Sequence, residues 1–253
     1  MTRTMKQDGF SLRAEWFGAA AFGSIELPTT TFERIELPRP EDNVERVERA
    51  VIVDYGLGNL KSITNALARL GVAVDVTADP ARLRDAQALI LPGVGAFGRA
   101  MDNLRAAGLV DSLKEAVIVR RRPTLGICLG MQVLAESSDE LGSHLGLGWI
   151  EGRVERLNGP LNLPVPHVGW NQVEAKASSV LFEGIPASAS FYFDHSYALR
   201  RSSASISECD YDGRFVAAVE QDNLMAIQCH PEKSQVAGLR VLANFLAFAA
   251  SRN

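Results

Sequence analysis

The sequence predicts an α/β fold: a mostly parallel, doubly wound sheet with helices on both faces, extended by an antiparallel or mixed portion. Two observations predict it. Between residues 50 and 137, short apolar runs rich in β-branched residues alternate with segments of helical periodicity, as in a parallel sheet with crossover helices. Between residues 148 and 228, strand-like runs follow one another without intervening helices.

The parallel half opens with "AVIVDYG" (50–56), which is typical of a buried strand that ends in a turn. The helix predicted next, "NLKSITNALARLG" (59–71), places Leu60, Ile63, Leu67 and Leu70 on one face and stops at Gly71. The remaining elements of this half are strands at "VAVDV" (72–76), "ALILPG" (88–93) and "TLGI" (124–127), and helices at 100–107, at about 110–120 and at "LGMQVLAES" (129–137).

The second half reads as strands, because apolar and polar residues alternate in it with period two. The final segment, about 236–249, is apolar enough to be a buried helix. The predicted strands lie within "GWIEGRVERL" (148–157), "HVGWNQVEA" (167–175), "SFYFDHSYAL" (190–199) and "RFVAAVEQDNLMAIQ" (214–228).

Composition excludes several classes of protein. The 253 residues are 47% hydrophobic and 22% charged, as in an ordinary globular protein, and the formal net charge of −4 gives no basic field for nucleic acid. No apolar run reaches the ~20 residues of a membrane-spanning helix. Three widely spaced cysteines predict free thiols in a reducing cytoplasm rather than a disulfide framework. No cluster has metal-ligand spacing, and we expect no metal or cofactor.

Residues 1–49 differ from the rest, and we predict a domain boundary between 49 and 50. "IELP" occurs twice in this segment, and acidic residues around its apolar stretch argue against a signal or transit peptide. We interpret it as a partly disordered N-terminal extension of a domain covering 50–253. An added edge strand and an overcalled start codon are open alternatives.

The motif that carries chemistry is "GICLG" (126–130), a G-x-C-x-G between a predicted strand and a predicted helix. A nucleophile on such a sharp turn needs small neighbours, and the N–H groups of a following helix favour a thiolate and offer an oxyanion site. The alternative is that Cys128 packs as a small apolar residue. The pentapeptide alone does not decide between them.

A cysteine nucleophile needs a base, and His230 in "CHPEKS" follows a strand-like run. If this segment is extended, Glu232 lies on the same side as His230 and can orient the imidazole. Taken alone, H-P-E is more often a surface turn. His195 is expected to be structural rather than a second base, and Cys209 and Cys229 are expected to be inert.

Taken together, "LPGVG" (91–95), "GICLGMQ" (126–132) and "HPE" (230–232) resemble the class I, triad-type glutamine amidotransferase family over residues 50 to the C-terminus. Within it, the chain is most similar to the family of glutaminase subunits that serve imidazole glycerol phosphate synthase. The segments that carry this narrower resemblance are "DYGLGN" (54–59), "LPGVGAF" (91–97), "VPHVGWN" (165–171), "FDHSY" (193–197) and "HPEKS" (230–234).

The resemblance implies that glutamine is hydrolysed to glutamate and ammonia by a Cys128–His230–Glu232 triad. For Pro92-Gly93 the alternative is a plain strand-ending turn, and Glu140 could be a solvated loop charge. The implied oxyanion donors are the N–H of Leu129 and the backbone of Gly93, Val94 and Gly95, and the implied glutamine-binding residues are Gln132, Glu140, Ser196 and Tyr197.

The resemblance also implies a partner, because the chain has no room for a synthase domain and no nucleotide-binding P-loop. The expected partner is a separate (β/α)₈-barrel cyclase that receives the ammonia in a heterodimer of the histidine biosynthesis pathway. "DYGLGN" and "VPHVGWN" would line the docking face, and the candidate contact or signalling residues are Asn59, His167, Trp170 and Asn171. A core position is the alternative for Trp170.

Two positions depart from the family pattern. Cys229 stands where an aromatic residue is usual, and Asp194 where an apolar one is common. The alternative functions are a glutaminase subunit of another ammonia-channelling synthase, such as pyridoxal phosphate synthase, a non-enzymatic binding protein on the same scaffold, and a cysteine hydrolase with other substrates. Dinucleotide binding at "GLG" (56–58) fails because no third glycine has the required spacing.

Overall fold

We describe a computed structural model of the chain, in which residues 34–37, 47–158, 163–211 and 213–252 are placed. They belong to one unit, Arg34–Asn253. Of the predicted N-terminal extension, only 34–37 and 47–49 are therefore among the described residues. Ile35 and Leu37 pack against the hydrophobic core, and Arg240 donates a hydrogen bond to the carbonyl of Glu36 at 2.6 Å. The described helices include none that is long and apolar enough to cross a membrane.

The central sheet has eight strands in the order β2-β1-β3-β4-β14-β13-β12-β9. Its first five strands pair in parallel, and the last three are added antiparallel. The strands are β1 (Arg49–Val53), β2 (Ala73–Thr77), β3 (Ala88–Leu91), β4 (Thr124–Ile127), β9 (Glu174–Ala175), β12 (Ser205–Asp210), β13 (Arg214–Gln221) and β14 (Leu224–Ile227).

Two smaller sheets complete the second half. One pairs β8 (His167–Gln172) with β10 (Ser190–His195) in antiparallel register. The other has the order β11-β7-β5-β6 and mixes parallel and antiparallel pairs. Its strands are β5 (Ala135–Ser138), β6 (His144–Leu145), β7 (Ile150–Arg156) and β11 (Tyr197–Leu199).

Helices cover both faces of the central sheet, because its parallel strands present apolar side chains to both sides. In β1, Ala50 and Ile52 belong to one buried cluster, and Val51 and Val53 belong to the other. The first cluster packs under α1 and α6, and the second under α2, α3 and α4. The helices are α1 (Leu60–Arg69), α2 (Pro80–Arg84), α3 (Phe97–Ala106), α4 (Leu109–Lys114), α5 (Leu129–Val133) and α6 (Gln235–Ala250), with a π-helical turn at Glu115–Val119 and a 3₁₀ turn at Pro231–Lys233.

The predicted fold class is confirmed, and the errors lie in individual elements. The helix predicted over 129–137 is wrong in its second half, since α5 ends at Val133 and Ala135–Ser138 forms strand β5. This strand is held by β7 on one side and by β6 on the other, so that tertiary pairing overrides the local helical pattern. The helix predicted over 110–120 changes to π geometry at Glu115. The short elements α2, β6 and β12 were not predicted.

Candidate active site

Cys128 occupies the turn between β4 and α5 with φ 54° and ψ −109°, a backbone region that residues with a Cβ rarely adopt. Its N–H donates to the carbonyl of Ile227 at 2.8 Å, which continues the parallel pairing of β4 with β14 for one residue. The strain at this residue is thus held by the sheet on one side. The side chain is almost fully buried.

The glycines around Cys128 are required by close approach of other backbone segments. A Cβ on Gly130 would collide with the carbonyl oxygen of Leu91, and one on Gly126 would lie 3.0 Å from the Gly130 oxygen. The turn therefore packs directly against the end of β3. This placement brings the 92–95 segment that follows β3 next to the sulfur.

The helix that follows Cys128 is shorter than predicted. With five residues, α5 has a weak macrodipole, so that any help to an anion comes from its first free N–H groups rather than from a long aligned helix. Leu129 opens this helix and supplies one of those N–H groups.

His230 and Glu232 form a buried pair. His230 Nδ1 lies 2.9 Å from Glu232 Oε1, and the two side chains are 2% and 1% exposed. The expectation of an extended segment is wrong here, because Pro231–Lys233 forms a 3₁₀ turn. The turn nevertheless brings the carboxylate back to the ring. The segment is fixed by the His230 N–H, which donates to the Tyr192 carbonyl at 2.9 Å.

The imidazole of His230 is electrostatically coupled to Cys128. Burial lowers the pKa of His230, but the neighbouring Cys128 and Glu232 side chains outweigh burial and raise that pKa to about 10. The buried Nε2 atom makes no well-aligned hydrogen bond within the described residues. Glu232 therefore holds the Nδ1 side of the ring, and Nε2 is the nitrogen left free of it.

A cavity of about 290 Å³ opens over the sulfur. Eight of the residues predicted for the site or its oxyanion segment line this cavity: Val94, Gly95, Cys128, Leu129, Gln132, Glu140, Ser196 and Tyr197. Pro166, Asp194 and His195 line it as well. A larger cavity, about 780 Å³, lies around 171–191 and holds only Asn171 of the predicted residues.

Gly93 does not line the cavity but lies under it. A Cβ there would come within 2.7 Å of both the Leu129 Cβ and the Tyr55 hydroxyl oxygen. Tyr55 is buried and donates to the Pro92 carbonyl at 2.6 Å. Burial, together with the charge of Cys128, raises the pKa of this phenol well above its usual value, so that it stays a donor. Gly95 has φ 111° and open space beside it, which leaves this peptide room to rotate.

Gln132 lies one helical turn beyond Cys128, and its Nε2 donates to the Tyr197 carbonyl at 2.7 Å and to Gln228 Oε1 at 3.0 Å. Glu140 accepts from the Phe97 N–H at 2.6 Å through Oε2, and therefore also serves the start of α3. This contact argues against a freely solvated loop charge.

His195 is not placed to act as a base. Its Nδ1 donates to the Tyr197 carbonyl at 2.9 Å, so that its Nε2 accepts from His167 Nδ1 at 3.2 Å, and both ring nitrogens are used. Burial lowers the pKa of His195 to about 3 and that of His167 to about 4. Both imidazoles are therefore neutral near pH 7. His167 stacks on Tyr211 at 3.8 Å between ring centroids.

The interface candidates fall into different environments. Trp170 is 49% exposed with its neighbour Val168 at 55%, so the alternative of a core position for Trp170 is wrong. His167 alternates with them along β8 and points inward, so it does not offer a surface contact. Asn59 is the N-cap of α1, and Asn171 donates to the Asp210 carbonyl at 3.1 Å.

The other two thiols lie in the hydrophobic core. Burial raises the pKa of Cys209 to about 12 and that of Cys229 well above its usual value. Both therefore remain protonated and unreactive thiols near neutral pH. No group of three or more histidine, cysteine, aspartate or glutamate side chains in the described part of the chain is arranged to hold a metal ion.

Comparison with known proteins shows the family to which the chain belongs. The family model described as glutamine amidotransferase class-I matches residues 51–248. The imidazole glycerol phosphate synthase subunit HisH of Symbiobacterium thermophilum is 49% identical over 199 residues, which are 78% of this chain and 92% of that protein. HisH 1 of Campylobacter jejuni strain RM1221 is 42% identical over 77% of this chain and 98% of its own length. The chain is a class-I glutamine amidotransferase of the HisH family.

Solved structures support the fold of this HisH-family chain. A crystal structure described as a glutamine amidotransferase gives a TM-score of 0.62 at 24% identity, covering 79% of this chain and 98% of that one. PurLQS from Thermotoga maritima gives 0.59 at 18% identity, covering 79% and 98%. At these identities the likeness concerns the fold alone.

Two residues at the site of the HisH-family chain were missed by sequence reasoning. Gln228 is fully buried and donates to Cys128 Sγ at 3.6 Å. Gln228 directly follows β14 and lies two residues before His230, and this spacing was an available signal. Tyr55 was noted only as part of "DYGLGN", and nothing local to it indicates a contact with Pro92.

Proposed function

We propose that this glutamine amidotransferase hydrolyses glutamine through Cys128, His230 and Glu232. The observation that carries the proposal is the buried His230–Glu232 pair, in which Nδ1 lies 2.9 Å from Oε1 and whose imidazole lies close enough to Cys128 for the two to interact electrostatically. A cysteine packed only as a small apolar residue would have no ionic partner. In this family, the pair supplies both the proton and the orientation that amide cleavage requires.

In the first half-reaction, the Cys128 thiolate forms a bond to the carboxamide carbon, and the carbonyl π electrons move to its oxygen. The N–H of Leu129 and a backbone N–H of the 93–95 segment are the proposed donors to that oxyanion, and loss of one such donor typically costs about 3–4 kcal/mol in the barrier. The C–N bond then breaks as His230 gives its Nε2 proton to the departing nitrogen. Ammonia leaves, and a glutamyl thioester remains on the sulfur.

In the second half-reaction, His230 takes a proton from water while the water oxygen attacks the thioester carbon. The C–S bond breaks, glutamate is released, and the thiolate is restored beside the imidazolium. Glu232 holds the ring through Nδ1 in both halves, as the third member of a triad does.

We assign glutamine binding to the cavity above the sulfur. Glu140 supplies a carboxylate for the α-amino group, and backbone groups of Ser196 and Tyr197 supply polar contacts for the α-carboxylate. Gln132 borders the same space. The cavity of about 290 Å³ suits one amino acid rather than a polymer.

The ammonia produced needs a protected route, because most free ammonia in neutral water is ammonium and has no lone pair. We propose that the acceptor is a separate (β/α)₈-barrel cyclase, bound as a heterodimer in the cytoplasm, which forms imidazole glycerol phosphate and an aminoimidazole carboxamide ribotide. The relatives are named as HisH subunits of that synthase, which supports this partner. Val168 and Trp170 offer an exposed apolar patch for docking.

The test is glutaminase turnover of the full chain with and without the cyclase and its ligand. We expect low basal turnover, strong stimulation in the complex, and loss of both in Cys128→Ala. Retained turnover in Cys128→Ala would overturn the assignment of the nucleophile. Stimulation by a synthase subunit of pyridoxal phosphate biosynthesis instead of the cyclase would overturn the assignment of the partner.

A further inference from the structure

Gln228 contacts the Cys128 sulfur. The orientation of its side-chain amide is fixed, through Gln132, by the backbone carbonyl of Tyr197. The carbonyl of Tyr197 can only accept, so the Gln132 atom 2.7 Å from it must be Nε2. That same Nε2 also lies 3.0 Å from Gln228, so the Gln228 atom it meets must be Oε1. Gln228 Nε2 is therefore the atom that faces Cys128 Sγ, at 3.6 Å.

The Tyr197 carbonyl is a firm reference for this orientation. It also accepts from His195 Nδ1 at 2.9 Å, and His195 is in turn held by His167. Gln228 and Gln132 are both buried, which keeps water from competing for these bonds. The amide of Gln228 cannot turn over without placing two donors against each other at Gln132.

We propose that Gln228 is a catalytic residue of this site, whose N–H donates to the Cys128 sulfur and stabilises its thiolate form. The inference rests on the proposed function, because it takes Cys128 as the nucleophile. A hydrogen bond to the charged form of an acid favours ionisation, and sulfur accepts one weakly as a thiol but better as a thiolate. Gln132 is the positioning residue that keeps the donor pointed at the sulfur.

The sulfur has other electrostatic neighbours, which the test must keep in place. His230 is the cationic one, and Tyr55 and Cys229 interact with Cys128 through charge. Gln228 adds a neutral N–H donor to this set from the end of β14. Replacement of Gln228 by methionine keeps length and volume but removes the donor.

The experiment measures the rate of Cys128 alkylation by iodoacetamide as a function of pH, in the full chain without glutamine. Peptide mass spectrometry separates Cys128 from Cys209 and Cys229. We expect Gln228→Met to raise the alkylation midpoint by about one pH unit, a roughly ten-fold lower rate on the acid side. Gln228→Glu should raise it further, because an anion then faces the thiolate. Gln132→Met should raise it less.

The matched control is Asn244→Leu, which removes another buried amide outside the site. The Asn244 amide donates to the carbonyls of Leu181 and Glu183, at 3.0 and 2.9 Å. This variant should lower the free energy of unfolding and leave the alkylation midpoint unchanged. Gln228→Asn, which keeps an amide too short to reach the sulfur, serves where Gln228→Met does not fold. An unchanged midpoint in the Gln228 variants overturns this inference, whereas turnover by Cys128→Ala overturns the proposed function itself.

Discussion

His230 and His195 are both buried, and the charge of His230 acts on His195, yet their pKa values move in opposite directions. The pKa of His195 falls to about 3 because burial is opposed only by a hydrogen bond to a neutral carbonyl. That of His230 rises to about 10 because a sulfur and a carboxylate outweigh the effect of its burial. The comparison teaches that the charge of the partners, and not depth in the protein, sets the protonation state.

The two imidazoles also link stability to pH in opposite ways. The pKa of His230 is raised above the unfolded value, so its contribution to stability is full below about 6.5 and is lost as pH rises through about 10. The pKa values of His167 and His195 are lowered, so their contribution is present above about 6.5 and is lost as pH falls towards 4 and 3.

Removal of the sulfur should make His230 behave like His195, and this is the largest effect that we expect. Cys128→Ala should lower glutaminase kcat by about 10⁴-fold or more, since the nucleophile is absent. The pKa of His230, followed by NMR titration, should fall because the sulfur that stabilises the protonated imidazole is gone. Cys209→Ala, which removes a buried thiol outside the site, should leave kcat and the pKa of His230 unchanged. A His230 pKa that stays high in Cys128→Ala would break the comparison.

Neutralising the carboxylate is expected to have the next largest effect. Glu232→Gln keeps the shape of the side chain but removes the charge 2.9 Å from Nδ1. We expect kcat to fall by about 10²- to 10⁴-fold and the pKa of His230 to decrease. The pH profile of kcat separates this from misfolding, because the limb that reports His230 should shift. Wild-type kcat in this variant would mean that the ring is oriented by other contacts.

Acid sensitivity of the neutral pair gives a smaller effect. In the wild-type chain, the free energy of unfolding should decrease as pH falls from 6.5 to 4, because the unfolded state binds protons that buried His167 and His195 reject. His167→Phe keeps the stack on Tyr211 and removes one of these groups. Urea unfolding at several pH values should then show a shallower slope. Asn244→Leu, which removes no titratable group, is the control and should keep the wild-type slope.

The smallest effect is expected at an exposed ion pair one residue from the triad. Lys233 Nζ lies 3.8 Å from Asp194 Oδ2, and both side chains are partly exposed. Asp194→Val restores the apolar residue that is common in the family and should change the free energy of unfolding by less than about 0.5 kcal/mol in urea denaturation. A loss of unfolding free energy as large as that caused by Glu232→Gln would show that exposure does not weaken this ion pair as we argue.

Sequence reasoning predicted the fold class from periodicity alone, because parallel strands and their helices leave strong local patterns. It did not predict that Ala135–Ser138 is a strand, since β5 is specified by its neighbours β7 and β6 rather than by its own residues. The parallel strands and their helices were therefore easier to predict than strand β5, which follows α5.

At the site, residue type and family motifs indicated Cys128, His230 and Glu232, and the structure pairs His230 with Glu232 at 2.9 Å. Their roles, and those assigned to Gln132, Glu140, Ser196 and Tyr197, stay predictions. Gln228 was missed because its importance depends on which atom of an amide faces the sulfur. That orientation is set by Tyr197 and Gln132 in other elements, and no local pattern encodes it.

The positive φ of Cys128 has a consequence for attempts to engineer this enzyme. A non-glycine residue held at positive φ stores strain on the order of 1–3 kcal/mol that glycine would relieve, and φ 54° makes Cys128 an obvious target for that replacement. A library screened only for heat resistance would therefore favour glycine here and discard the nucleophile. Such a screen has to be coupled to a selection for glutaminase activity, because thermal stability and turnover make opposite demands on this one residue.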